Sequence, residues 1–332
     1  MKKSGLILAK FAPFHMCHQY IIDIALKEVD DLTIIMYDCP DKTSISLNVR
    51  AQWVRYFYPQ VHVIEGWDAP NMHEDTDEVK KMQENYVKRA LNGKKITHFY
   101  NADFYGDHMS KFLGAVNRRV DKDDEKRQCP VRATSIRGDK YSYRKAMHPM
   151  VYRDILIKVA FIGAPSEEQT KLVKRLATKL QTIYIENNLM SLLNPVKVKK
   201  AFNDSINFYQ IGKEQYKLAH NKNKIYKANE YLLYDSTSFI DHLLSIATHN
   251  RFDEKLFKLF SEDMRSYDLV FINEAKKNNI TKYLNIDNSI FLNQVLSNLD
   301  NLGVKYQILS GTFMEKQNKA ERMIKATKGK FK

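Results

Sequence analysis

The first apolar run of the chain, residues 6–9, contains no polar position, the pattern of a strand buried on both faces of a parallel sheet. Beyond Pro13 the period changes. Ile22, Ala25, Leu26 and Val29 recur at i, i+3, i+4 and i+7, one face of an amphipathic helix. The two patterns then alternate. Residues 32–37, 61–64 and 96–100 read as strands, and 46–58 and 75–91 as helices. Trp53 and Phe57 share a face of the first helix; Val79, Met82 and Tyr86 point inward on the second. In the second half Ile157–Ile162, Tyr231–Tyr234, 269–272 and 304–309 read as strands. Leu172, Leu176 and Leu180, at i, i+4 and i+8, mark a helix. Alternation of this kind predicts an α/β protein built on doubly wound parallel sheets.

Length turns this into a two-domain expectation, because 332 residues exceed an ordinary single core. A hydrophobic content of 44% with 28% charged residues is that of a globular chain, which excludes the disordered and fibrous classes. No apolar run approaches membrane-spanning length, and Lys10 interrupts the N-terminal run too early for a secretory signal. Cys17, Cys39 and Cys129 are odd in number and scattered, which predicts reduced thiols in a cytoplasm. The net charge of +14 keeps a nucleic-acid partner open, although the lysines spread along most of the chain. The Lys-rich tail after Met314, with Met323 and Ile324 as its adjacent apolar pair, is expected to be a solvated helix fraying over 328–332.

Candidate chemistry concentrates at the first strand-to-helix turn. His15 and His18 lie there beside helix N–H groups that have no intrahelical partner, a ready site for phosphate. A zinc reading of His15, Cys17 and His18 lacks a second ligand pair, so no metal ligands are assigned. A second motif, Val131-Arg132-Ala133-Thr134-Ser135-Ile136-Arg137, offers a capping hydroxyl and a forked cationic donor. In the second half, Gly163-Ala164-Pro165-Ser166-Glu167-Glu168-Gln169-Thr170 has the order and spacing of a P-loop. Glu168 takes its second glycine position and Gln169 its lysine position, both adverse to phosphate.

Lys10-Phe11-x-Pro13-x-His15-x-x-His18 resembles the GxFxPxHxGH signature of the nucleotidyltransferase superfamily related to the HIGH-motif aminoacyl-tRNA synthetases. In detail it is similar to the bifunctional nicotinamide-nucleotide adenylyltransferase/ribosylnicotinamide kinase family, whose ISGTxIR-type motif residues 131–137 also resemble. Ala9 and Cys17 replace two glycines of the pattern, and Arg132 replaces a serine. Gly66-Trp67-Asp68, and Asn101 to Asp107 with Asp103 and a Tyr105-Gly106 pair, sit where the family has comparable segments. The resemblance implies a Rossmann-like nucleotidyltransferase domain over 1–156 and a degenerate P-loop kinase-like domain over 157–332, without the helix-turn-helix repressor domain of some members. It implies NAD and pyrophosphate made from NMN and ATP with Mg²⁺, in a cytoplasmic homo-oligomer with no membrane partner. The implied catalytic residues are His15, His18 and Arg137, with Lys10, Phe11, Thr134 and Ile136 on ATP and Trp67 and Asp68 on NMN. Trp67 as ordinary core is the competing reading. Gly163, Thr170 and Asp235 remain as an eroded kinase site, its second acid gone, so kinase activity is not expected. The rival readings are a nucleotide-binding pseudoenzyme and a basic nucleic-acid-binding protein.

Overall fold

Strands that lie between two helical layers are mostly apolar on both faces, and the two central strands of the protein follow this at every position but Ser4 and Lys158. In the computed structural model, which describes residues 2–70, 72, 75–101, 106–120, 129–189, 207–250, 252–274 and 286–332, the chain divides into two units. The first holds Met1–Ile155 and Lys330–Lys332, the second Leu156–Gly329.

In the first unit β1 (Ser4–Ala9) is central, with Leu6 fully buried. It is followed by α1 (Met16–Glu28), β2 (Asp31–Tyr37), α2 (Leu47–Phe57), β3 (His62–Gly66) and α3 (Asp77–Leu91). Then come β4 (His98–Asn101), α4 (Gly106–Leu113), β5 (Val116–Arg119), α5 (Ala133–Gly138) and α6 (Pro149–Ile155). The strands form one parallel sheet in the order β3-β2-β1-β4-β5, Leu6 opposite Thr33 on one side and Phe99 on the other. The strand order reverses between β1 and β4, so their carboxyl ends frame the crevice where open α/β sheets bind ligands. Leu6, Ile35, Tyr86, Val87 and Phe99 belong to one core cluster against this sheet. α3 is held by Thr76, whose side chain accepts from Val79 N, and by Asp77 and Glu78 against the helix dipole. Met82, expected inward, is half exposed; only Val79 and Tyr86 of that trio are buried.

In the second unit β6 (Ile157–Ile162) is buried throughout. α7 (Glu167–Lys179), β7 (Ile183–Ile185), α8 (Phe208–Ala219), α9 (Lys222–Ile225) and β8 (Tyr231–Tyr234) follow. α10 (Ser238–His249), α11 (Glu254–Ser266), β9 (Leu269–Asn273), α12 (Asn288–Asn301), β10 (Gln307–Leu309) and α13 (Phe313–Ala326) complete it. The order is β10-β9-β6-β8-β7, again all parallel. Among the described residues no helix is long and apolar enough to cross a membrane.

The tail departs from the sequence expectation. α13 starts at a capping box between Thr312 and Glu315 and buries Lys316, Gln317, Ala320 and Ile324. Ala320 and Ile324 join the core formed with Phe161, Leu172 and Leu176. Residues 330–332 do not fray: Lys330 O accepts from Ser44 N at 2.8 Å, Lys332 N donates to Lys42 O at 3.0 Å, and Phe331 bridges Thr43. The apolar i, i+4 pair Ala320 and Ile324 was hidden by the lysines around it.

Candidate functional site

α1 begins on its own histidines. His15 is the N-cap, and its Nδ1 accepts from Cys17 N at 3.3 Å. His18 Nδ1 accepts from His15 N at 3.3 Å, which closes a capping box made of two imidazoles stacked 3.7 Å apart. Acceptance at Nδ1 leaves each ring proton on Nε2, where it can be donated. Burial pushes His15 down to about 4, and burial with the His15 neighbour holds His18 well below its ordinary range. At neutral pH both rings are therefore uncharged donors. The entering loop is strained at Phe11, a non-glycine residue at φ +46°, and is held there by ring contacts to Phe14 at 5.0 Å and His18 at 4.6 Å.

A cleft of about 410 Å³ opens at the carboxyl ends of β1, β2 and β4. His18, Phe11, Lys10, Lys42 and Arg137 all line it, so a neutral donor, an aromatic ring and three cations meet in one cavity. Arg137 is fixed by donating from Nη1 to Ala12 O at 2.8 Å. Burial lowers the Lys10 pKa from its ordinary value. Three further lining residues carry a buried polar atom with no partner among the described residues: Tyr37 Oη, Asn101 Oδ1 and His108 Nε2. Gly106 lets the Asn101 side chain sit against the start of α4, since a Cβ there would meet it at 2.3 Å. Unsatisfied groups of this kind are costly when dry and are the natural contacts of a polar ligand.

The floor of the cleft depends on Arg50, which sequence reasoning missed. Its side chain is fully buried, with Nε donating to Ile45 O and Nη1 to Tyr37 O, each at 3.1 Å. It also reaches Lys10 O, and Nη2 donates to Asp38 Oδ1 at 2.8 Å. One guanidinium thus ties the carboxyl ends of β1 and β2 together.

Of the residues expected at ATP, Lys10, Phe11, His18 and Arg137 line the cleft. His15 stands behind His18, Thr134 is exposed on α5, and Ile136 is fully buried as its anchor. Trp67 and Asp68 do not line the cavity. Trp67 is 56% exposed, which removes the core reading, and Asp68 pairs with Arg89 at 2.6 Å on the surface. Residues 102–105, including Asp103, lie outside the described residues.

The expectation of three reduced thiols is overturned. Cys17 and Cys129 form a disulfide, Cα–Cα 5.4 Å, and only Cys39 remains free and buried. A separation of 112 residues gives no sequence signal for this pairing. The bond joins the first turn of α1 to the segment leading into α5. Its reduction is expected to lower first-unit stability by about 2–4 kcal/mol. Both tryptophans, Trp53 and Trp67, lie in the first unit, so tryptophan fluorescence during urea unfolding reads that unit alone. Alkylation of Cys17 and Cys129 in unreduced, folded protein would show the bond to be absent.

In the second unit the residues expected as an eroded kinase site come together. Gly163, at φ +151°, approaches Asn273 so closely that a Cβ would sit 2.9 Å from its carbonyl oxygen. Thr170 Oγ1 donates to Asp235 Oδ2 at 2.6 Å, and Gln169 Nε2 donates to Asp235 O at 2.6 Å. Gln169 therefore turns into the core instead of extending over the loop. Glu168 is paired with the buried Lys316 at 2.7 Å. Burial raises Asp235 to about 6 despite the Thr170 and Gln169 hydrogen bonds.

No family model and no curated protein matches the chain. Solved structures do. A NadR protein in complex with NAD and AMP-PNP superposes with a TM-score of 0.50 at 15% identity, covering 98% of this chain and 95% of that one. A NadR protein in complex with NR gives a TM-score of 0.53 at 16% identity, covering 99% and 97%. The fold is NadR-like. At this identity the likeness concerns architecture, and it spans the residues of both units, each an α/β layer structure on a parallel sheet. Motif order in the sequence singled out His18 and Arg137, which line the cleft, and His15 beside them; it did not single out Tyr37 and His108, which also line it, or Arg50, which ties the strand ends beneath it.

The titrations give the first unit a pH dependence. His15 falls from 6.5 unfolded to about 4 folded, so the unfolded chain binds more protons between those values. Stability is complete above about pH 6.5 and is lost as pH falls toward 4, on the order of 3 kcal/mol from this group. Asp235 has the opposite sign: its folded pKa is raised, so its contribution is greatest below 3.8 and is lost as pH rises through about 6. Between pH 6.5 and 4 the tryptophan-detected melting temperature should fall. A flat or rising first-unit profile there would show that the His15 ring is not buried as described.

Proposed function

We propose that the first unit is a nicotinamide-nucleotide adenylyltransferase that joins NMN to the adenylyl group of ATP, and that the second unit has lost P-loop phosphoryl transfer. The observation that carries this reading is the cavity at the β1/β4 crossover in which His18, Lys10, Lys42 and Arg137 converge.

In this reaction a phosphate oxygen of NMN attacks the α-phosphorus of ATP, and the bond to the bridging oxygen breaks with its electron pair passing to pyrophosphate. Nothing needs to be held covalently by the protein; alignment and neutralisation of charge supply the rate. Neutral His18, with His15 behind it, donates from Nε2 to the triphosphate. Lys10, Lys42 and Arg137 carry the positive charge that the two imidazoles lack. Thr134 adds a hydroxyl from the start of α5. Tyr37, Asn101 and His108 line the same cleft, where their unpartnered atoms suit hydroxyl and amide groups of the nucleotides. Trp67 stands near the end of β3 with an exposed ring face, suited to cover a nicotinamide ring, with Asp68 beside it.

Among the described residues no group of three His, Cys, Asp or Glu is placed to hold a metal. In this proposal Mg²⁺ would enter with ATP as the MgATP substrate and would supply charge neutralisation at the phosphates. In the second unit the residue at the P-loop lysine position is Gln169, turned toward Asp235 O, and Lys316 is engaged by Glu168, so neither supplies a free cation for a β- or γ-phosphate.

The test is an assay of NAD and pyrophosphate formation from NMN, ATP and Mg²⁺ with the full chain. Turnover supports the reading. ATP binding by calorimetry without turnover would favour a nucleotide-binding protein that no longer catalyses, the reading suggested by Cys17 and its disulfide at a glycine position. Neither turnover nor binding would remove the nucleotide function altogether.

A further inference from the structure

α7 is amphipathic in an unusual way. Leu172, Val173, Leu176 and Ala177 are buried against the second sheet, while the opposite face exposes Lys171, Lys174, Arg175 and Thr178. Those four residues and Phe313, at the first position of α13, line a groove of about 530 Å³. Arg175 sits with its guanidinium carbon 5.4 Å from the Phe313 ring centroid. Among the described residues none of Lys171, Lys174 and Arg175 has a carboxylate partner, whereas Lys179 at the end of the same helix pairs with Glu321 at 2.9 Å.

A face that served only for solubility would interleave both signs. Glu167 stands one turn before Lys171, outside the groove; within the groove like charges stand at i, i+3 and i, i+4, an arrangement that costs an isolated helix a few tenths of a kcal/mol per pair. A bound polyanion reverses that sign. The three cations span about 6 Å along the helix axis, at 1.5 Å per residue, within reach of successive phosphates on one strand. Phe313 packs partly against the second-unit core, and its exposed part adds the second element of single-strand recognition, since every base has a π-face and a duplex hides it. The net charge of +14 supplies the long-range attraction but not the location.

We infer that the α7 groove, walled by Phe313, is a docking surface for single-stranded nucleic acid, gripping the phosphate backbone with Lys171, Lys174 and Arg175 and stacking a base on Phe313. This holds whether or not the first unit makes NAD, because it uses no residue of that cleft.

The experiment is fluorescence anisotropy of labelled oligo(dT) and oligo(U), about 20 nucleotides long, with the full chain at about 50–200 mM salt. The variant Lys171→Glu/Lys174→Glu/Arg175→Glu should bind about tenfold or more weakly, and its log–log salt slope should fall by about 2, near 0.7 per phosphate contact. Phe313→Ala should weaken binding while leaving the slope unchanged. The control Lys81→Glu/Lys88→Glu/Lys95→Glu makes the same change in net charge on exposed lysines of the first unit and should retain most of the affinity. Circular dichroism and the urea midpoint show that each variant is folded. Equal losses in both triple variants would reduce the effect to general charge and overturn the groove. So would absence of binding by the parent chain, or tighter binding to a duplex of the same length.

Discussion

Replacement of His18 by alanine is expected to lower the rate of NAD formation by about two to three orders of magnitude, the cost of removing one preorganised donor from a developing charge. The ring sits at the third position of α1, half-buried and uncharged, and lines the cleft with its Nδ1 already engaged. Its only free polar group is Nε2–H. Because that donor is neutral, the loss should not depend on pH above about 6. A variant that had removed an imidazolium would lose its defect as pH rose past the ring's pKa. The substitution also deletes the acceptor for His15 N, a capping loss of about 1 kcal/mol, which the fold can bear. His18→Asn is the conservative variant, since a side-chain amide can both accept from His15 N and donate. It should recover stability fully and activity in part. An unchanged rate in His18→Ala, with NAD still forming, would move the chemistry away from this cleft.

The outcome for the sequence reading divides along a physical line. Strands such as β1, β2, β6 and β8 are largely buried on both sides, so they appear as mainly apolar runs, interrupted only singly, as by Thr33 in β2 and Lys158 in β6, and were legible. β5 reads Val-Asn-Arg-Arg at a sheet edge and β7 has three residues, so neither carries a run long enough to see. His15, His18 and Arg137 could be singled out because a motif keeps its residues in fixed order around one turn, and of these His18 and Arg137 line the cleft. Tyr37 and His108 come from the end of β2 and from α4, and only the order β3-β2-β1-β4-β5 brings them into one cavity with Asn101, whose segment the sequence did mark. The same holds for Cys17 and Cys129, and for Lys316, which reaches Glu168 across 148 residues. Trp67 and Asp68 show the converse. Their motif was visible, yet the ring stands exposed and the acid is paired with Arg89, outside the cavity that the other site residues share.

Arg50→Ala is expected to destabilise the first unit by about 5 kcal/mol, at the upper end for a single substitution. Three terms add. Removing the guanidinium strands the carbonyls of Lys10, Ile45 and Tyr37, each worth about 1–3 kcal/mol if left dry. Asp38 loses its cation, at a discounted cost because its side chain is 31% exposed and can be rehydrated. A side chain that is fully buried leaves a cavity behind, and only water entering that cavity offsets part of the first term. Urea unfolding followed by tryptophan fluorescence reads the loss directly, since Trp53 and Trp67 belong to this unit and the second unit is silent. Arg50→Lys separates charge from geometry: an ammonium can reach one or two of the four acceptors but not all, so it should recover less than half of the loss. Because Lys10 O and Tyr37 O sit at the ends of β1 and β2, the same variant should raise KM for ATP more than it lowers kcat. A loss below about 1 kcal/mol would show that neighbouring backbone groups close over the gap, and that the two strand ends hold their positions without the guanidinium.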